Sequence, residues 1–294
     1  MSNNSAKKEK NSVYLTKKIG VGFQSVLLNG ILAIFSFTCI FPLLWLFYSS
    51  LKVKRTFNAD IIGLPKSPTF SNYIRIMTNP DYHIWSSMIN SARNTIISLL
   101  LIILFGYIIG YILARVKFRG SGVMKIMFLM GLVIPVYSLM VPVYVLFNRA
   151  GLSNQWFTLV IPYLAFGLPI VIFLVEGYIK TVPKELEEAA AIDGSSFTRT
   201  LFQIIMPIAK PILVTAGIIQ TFFCWNEFVF ALLLIKDQRL QPVPLAMTQF
   251  TGQFSSDYPK IMAALLLTMS PILIFYFVFS KQIIKGMVTG AVKG

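Results

Sequence analysis

Apolar positions along this chain gather in long runs, and polar ones are confined to short segments between them. A helix that crosses a bilayer needs about 20 predominantly apolar residues, because each adds 1.5 Å across a roughly 30 Å hydrocarbon core. Six stretches qualify. The first is apolar over residues 21–48, between Lys18 and Lys52, and the second covers 94–114, between Arg93 and Arg115. The third covers 126–147 and the fourth 156–175. The fifth runs over 211–235, interrupted by Glu227, and the sixth over 261–280, between Lys260 and Lys281. The pattern predicts an all-α fold, a polytopic membrane protein with six transmembrane helices. Residues 1–20 are then an N-terminal tail, 49–93 a long loop, 94–280 a core with five helices, and 281–294 a C-terminal tail. The first run is too long for a signal-peptide core and reads as an uncleaved signal anchor.

Composition narrows the class. Only 13% of the 294 residues are charged, where a soluble domain carries about a quarter. The formal net charge is +15. A nucleic-acid binder would gather such charge on one soluble face, whereas here Lys and Arg sit in short segments between apolar runs. Membrane lipid, and not nucleic acid, is the implied surroundings. Of the 26 Lys and Arg, 16 fall in the N-terminal tail, the second loop, the fourth loop and the C-terminal tail. The short loops contrast most, with Arg115, Lys117, Arg119 and Lys125 set against Arg149 alone. By the positive-inside rule both termini are predicted to be cytoplasmic. Lys52, Lys54 and Arg55 fall on the opposite side, in a long loop that weighs little in this rule.

Cys39 and Cys224 lie inside apolar runs and read as small buried hydrophobes. The single histidine, His83, lies in a polar connection. No zinc, redox or haem spacing is present in the sequence. Neither a metal site nor a catalytic residue is therefore expected, and the chain reads as a non-enzyme.

Proline and glycine recur within the spans, at Pro135, Pro142, Pro162, Gly167 and Pro169. Such breaks are tolerated where neighbouring helices or a watered cavity satisfy the freed carbonyls. One reading is ordinary kinking. The other is a pathway lined by the third to fifth spans, with Tyr137, Ser138, Tyr144, Tyr163, Gln220, Asn226 and Glu227 as aromatic and polar candidates. For Glu227 a structural hydrogen-bonding role is favoured over substrate contact.

The fourth loop, 176–210, holds five of the eleven acidic residues: Glu176, Glu185, Glu187, Glu188 and Asp193. Pro183 suits the first turn of a helix, where the three following glutamates meet the positive end of its dipole. Leu186, Ala189 and Ala190 share one face by their spacing. Gly194 is placed to end this helix in a left-handed conformation. A second amphipathic helix follows, with Phe197, Leu201, Ile204, Ile205 and Ile208 apolar, and Pro207 and Pro211 are expected to break it before the fifth span. Acidic residues suit a protein partner better than an anionic lipid surface.

The run Glu188-Ala189-Ala190, then Gly194, then Ile204 and Met206-Pro207 resembles the EAA loop of ABC importer permeases. Met206 stands where the family pattern has leucine, a near-isosteric exchange. Asn90-Ser91, Trp225-Asn226-Glu227-Phe228 and the ending Gly290-Ala291-Val292-Lys293-Gly294 are similar to maltose-type carbohydrate permeases. The resemblance covers roughly residues 73–294. It implies the ABC importer permease (MetI-like) core in a bacterial cell membrane. The partners implied are a second homologous permease subunit, two ATP-binding subunits, an extracytoplasmic substrate-binding protein and a carbohydrate substrate. Leu186, Glu188, Ala189, Ala190, Asp193, Gly194, Ile204 and Pro207 are then expected to couple to the ATPase subunits. No phosphate-binding loop sequence occurs in the chain; no cofactor is expected in it, and ATP and Mg belong to the partner subunits.

Two other classes fit less well. An ion-coupled secondary transporter would carry ionisable groups deep in its spans, and Glu227 is the one candidate. A membrane enzyme would need converging acids, bases or metal ligands. An importer of a non-sugar solute stays open. In the last outer loop, Gln249, Phe250, Phe254 and Tyr258 are candidate contacts for the binding protein.

Overall fold

The computed structural model describes the backbone of residues 3–250 and 257–291, and the side chains of 25–250 and 257–282. Among the described residues there is no strand. The helices in chain order are α1 (Asn3–Ser50), α2 (Lys54–Ala59), α3 (Ser71–Thr78), α4 (Ile84–Arg115), α5 (Ser121–Val133), α6 (Met140–Arg149) and α7 (Val160–Ile179). There follow α8 (Glu185–Ile192), α9 (Phe197–Arg199), α10 (Met206–Asn226), α11 (Val229–Leu234), α12 (Val243–Ala246) and α13 (Tyr258–Ala291). Five described helical stretches are long and apolar enough to cross a membrane, and the bent pair α5 and α6 makes a sixth if it counts as one span. The chain divides into two compact units, Met1–Asn72 with Tyr258–Ala263, and Tyr73–Asp257 with Ala264–Gly294.

In the first unit the candidate span is Ser25–Ser50. Its side chains are exposed over residues 25–44, as befits a surface whose solvent is lipid. The loop that follows folds back on the end of α1. Asn72 Nδ2 donates to the carbonyls of Ser50 and Lys52, each at 2.8 Å, and Trp45 Nε1 donates to the Ile61 carbonyl. Lys52 is 2% exposed. Its ammonium donates to the Asp60 carbonyl at 2.8 Å and lies over the rings of Tyr48 and Phe57. Fixed carbonyl dipoles and ring faces replace its water. Lys52 is thus an internal structural charge and not a loose loop lysine.

In the second unit α4, α7 and α10 pack against one another and enclose the core. Gly106 and Gly110 face α7, and a Cβ on either would come within 2.6 Å or 2.8 Å of the Val171 and Val175 side chains. Small residues one turn apart let two backbones approach closely, and dispersion then replaces the hydrophobic effect that lipid cannot supply. Two polar rows on α4, Ser87-Ser91-Thr95 and Asn90-Asn94-Ser98, are buried. Asn90 Nδ2 donates to the carbonyls of Arg239 and Gln241, and Ser91 Oγ accepts from the Val243 N–H. The Asn90-Ser91 pair therefore pins the loop after α11 onto α4.

Several predicted boundaries shift. The second span begins earlier than residue 94, because α4 starts at Ile84. The third is no straight helix: α5 and the segment after it are bent by 97°. Pro135 stands at the break, with no N–H to continue the ladder. The fourth ends at Ile179 and not at Val175, so Glu176 belongs to the span and not to the loop. Pro207 and Pro211 do not break the chain before the fifth span; Phe197–Asn226 is one helical stretch. Residues Thr200–Ile205 form a π-helical turn in which the Met206 N–H reaches the Leu201 carbonyl. That wider register carries the chain past Pro207, which lacks a donor. The fifth helix also ends at Asn226, not at 235, because Glu227 is extended and α11 begins afresh.

Candidate functional site

The acidic loop folds as the sequence pattern directs, and the tertiary contacts decide which side chains face out. Pro183 lies just before α8 rather than inside it. The Lys184 carbonyl accepts the N–H groups of Glu187 and Glu188, and Glu185, Glu187 and Glu188 occupy the first turn, where the dipole favours negative charge. At the other end Gly194 has φ +74°. The Gly194 N–H donates to Ala191 O at 3.0 Å and the Ser195 N–H to Ala190 O at 2.9 Å. These are the two bonds of a Schellman ending. Ser196 then caps the next helix, its Oγ accepting from the Arg199 N–H.

The face expected to be shared by Leu186, Ala189 and Ala190 is split. Ala190 is buried, while Leu186 is 42% exposed and Ala189 is exposed. Ile192 at 87% and Phe197 at 54% extend this open apolar surface. Glu188, Asp193, Gly194 and Pro207 are exposed as well, and Ile204 is half-buried. Glu187 points the other way. Its Oε1 accepts from Arg115 Nε at 2.7 Å and its Oε2 from the Tyr111 hydroxyl at 2.9 Å. Arg115 also donates to the Val182 carbonyl at 2.6 Å, and the Tyr107 hydroxyl donates to the Leu201 carbonyl at 2.6 Å. A second charged cluster joins α5 to α7, where buried Glu176 accepts from Lys125 at 2.7 Å and from Lys180. Sequence reasoning missed both clusters. Their signals were the four-residue spacing of Tyr107, Tyr111 and Arg115, and of Glu176 and Lys180.

The pathway candidates are not brought together as one surface. Tyr137 is 72% exposed, and Tyr144 and Asn226 are exposed too. Tyr163, Gln220 and Glu227 are buried in the bundle instead. Gln220 lies against Gly167, where a Cβ would come within 2.7 Å of its Oε1. Glu227 caps α11: its Oε1 accepts from the Phe230 N–H at 2.7 Å, and its Oε2 from the Ala231 N–H and the Tyr163 hydroxyl, both at 3.3 Å. These contacts tie the start of α11 to Tyr163 on α7. Glu227→Ala is expected to cost about 1–2 kcal/mol, the size of a lost helix cap, and to lower the unfolding temperature in detergent. Exposed Asn226→Ala should leave that temperature unchanged.

The outer-loop candidates are corrected in one respect. Phe250 is 8% exposed and stacks on Tyr82 with centroids 4.8 Å apart, so it is loop core and presents no contact surface. Gln249 is half-buried and donates to Gln241, and Tyr258 is exposed. Phe254 lies outside the described residues, as do the last residues of the Gly290–Gly294 ending. Nearby, Arg239 donates three hydrogen bonds to the Asp237 carboxylate, which holds that carboxyl below its ordinary pKa. Among the described residues no three His, Cys, Asp or Glu side chains gather into a metal-binding group.

Apolar spans packed through glycines, with a capped acidic helix presented at one end of the bundle, define a multi-pass α-helical membrane protein with a surface element between two spans. Residues 102–288 match the family described as binding-protein-dependent transport system inner membrane component, and the chain belongs to that family. The multiple sugar-binding transport system permease protein of Streptococcus mutans serotype c is 34% identical, over 86% of this chain and 92% of its own. The melibiose/raffinose/stachyose import permease protein of Bacillus subtilis is 33% identical, over 86% of this chain and 91% of its own. The fold matches a chain in a solved bacterial ABC transporter involved in the import of the acidic polysaccharide alginate. That match has a TM-score of 0.79 at 21% identity and covers 87% of this chain and 95% of the other.

Proposed function

We propose that this protein is a permease subunit of an ATP-driven, binding-protein-dependent importer of a carbohydrate, and that it forms half of the pathway beside a second, homologous permease. The observation that carries the reading is α8, an acidic helix with an open apolar face, closed by a left-handed glycine and joined through the short bend at residues 193–196 to a helical stretch long enough to span the membrane. Motion imposed on α8 has a short covalent route into the bundle. Two ATP-binding subunits, which hold ATP and Mg, dock on Leu186, Glu188, Ala189 and their neighbours from the cytoplasm. Nucleotide-driven closure then shifts the balance between two bundle arrangements, as any ligand does that favours one of them. A soluble binding protein delivers the sugar from outside. Relatives named for multiple sugars and for melibiose, raffinose and stachyose favour a carbohydrate over other solutes.

The test is purification of the tagged chain from its native membrane. A complex with a second permease and an ATPase pair, whose hydrolysis rises with sugar-loaded binding protein, is expected. A lone chain that takes up solute with protons would sink the proposal. Orientation is checked separately by cysteine labelling. Cysteines at Ser121 and Ser195 should be shielded from an impermeant thiol reagent in intact cells, and one at exposed Ser67 labelled. Labelling of Ser195 from outside would remove the docking assignment.

A further inference from the structure

Tyr107, Tyr111 and Arg115 follow one another at four-residue intervals, so they form a stripe along one face of α4. All three are buried or nearly so: Tyr107 is fully enclosed, Tyr111 is 3% exposed, and the Arg115 side chain is 6% exposed. Each spends its polar atoms on the acidic loop. Tyr107 reaches the π-helical turn at Leu201, Tyr111 and Arg115 share the Glu187 carboxylate, and Arg115 also ties down Val182 ahead of α8. Tyr111 adds an edge-on contact with Phe197, past the glycine bend. The stripe therefore holds the segments on both sides of Gly194, while Leu186 and Glu188 stay exposed for a partner.

We infer that Arg115, with Tyr111 and Glu187, is the strut through which α8 moves α4. This rests on the proposed function, since it names the residues that pass the stroke on. Glu187 is separated in role from its neighbour Glu188: one faces the bundle, the other the partner. On an adjacent face of the helix, α4 is clamped to α7 through Gly106 and Gly110. A displacement of α8 thus moves two spans as one body. A planar guanidinium with two donors committed to two different acceptors resists rotation and sliding in a way that a single covalent bend at Gly194 does not.

Arg115 is a positioning residue, so its test separates coupling from folding. Arg115→Met should assemble with the ATPase subunits in normal amount and hydrolyse ATP at the basal rate, yet take up sugar roughly tenfold or more slowly. Glu187→Gln keeps an acceptor oxygen and should retain most uptake. The discriminating variant is Tyr111→Cys with Glu187→Cys, in a chain carrying Cys39→Ser and Cys224→Ala. Uptake should be low in this variant and rise when a bismaleimide spans the two thiols, because a covalent link replaces the strut. Near-normal uptake by Arg115→Met, loss of the ATPase subunits from that variant, or a cross-link that fails to raise uptake would each overturn the inference. The unsubstituted complex assayed alongside keeps the two claims apart. If it shows no ATP-driven uptake, the proposed function itself fails.

Discussion

Gly194→Val is expected to abolish sugar uptake while the protein stays in the membrane at near-normal abundance. The cause is conformational and not steric. A Cβ built on Gly194 has no atom within 4 Å, so no neighbour has to move. The backbone, however, stands at φ +74°, where a side chain costs roughly 1–2 kcal/mol and a β-branched one more. That is small against the packing of the bundle, and α4, α7 and α10 should still assemble. It is large against the geometry of two helices whose relative angle is set at one residue. Valine relieves the strain by leaving the left-handed region, which breaks the bonds to Ala190 and Ala191 and swings α8 away from Ser196. Gly194→Asn tolerates that region and should transport well, so the pair reads conformation rather than side-chain bulk. Glu188→Lys should act differently, lowering co-purification of the ATPase without disturbing the bend. Normal uptake by both Gly194→Val and Glu188→Lys would show that this loop does not couple ATP to transport.

Gly106→Val should have the largest effect on stability. The added Cβ alone would lie 2.6 Å from Val171 Cγ1 and 2.9 Å from its Cβ. Real Cβ atoms do not approach so closely, and both contacts are to a stiff, β-branched side chain held at 0% exposure. The two helices must separate, which forfeits dispersion along the whole α4–α7 seam. Overpacking of this kind costs about 1–3 kcal/mol, and α4 and α7 form the most extensive helix pair in the bundle. Membrane abundance and the unfolding temperature in detergent should both fall. Gly177, on the same helix as Val171 but with open space around its Cβ position, is the control: Gly177→Ala should leave both unchanged. Unaltered stability in Gly106→Val would show that the close approach of α4 and α7 is not required.

The membrane class, the approximate spans and the bend at Gly194 were legible in the sequence because each is a local property. Length and apolarity alone decide whether a segment suits lipid, and a glycine at the end of an acidic helix specifies its own termination. The resemblance of 188–207 to the EAA loop is likewise carried by spacing along one segment. Other features were decided only by contacts between distant segments. Periodicity put Ala190 with Leu186, yet the packing of α8 turns Ala190 inward and leaves Leu186 open. Glu187 and Glu188 are adjacent and chemically alike, and only the position of Arg115, 72 residues earlier, assigns one to the bundle and the other to the surface. Lys52 counted as a loose loop charge until the fold surrounded it with carbonyls and rings. Pro207 reads as a helix breaker by itself, and the π-helical turn before it lets the helix run on into the fifth span. Hydrophobic pattern and turn chemistry thus determined where this protein crosses the membrane and where it bends. Which polar groups became struts, caps or exposed contacts was settled by the tertiary structure, because a buried charge must be paired by whatever neighbour the packing delivers.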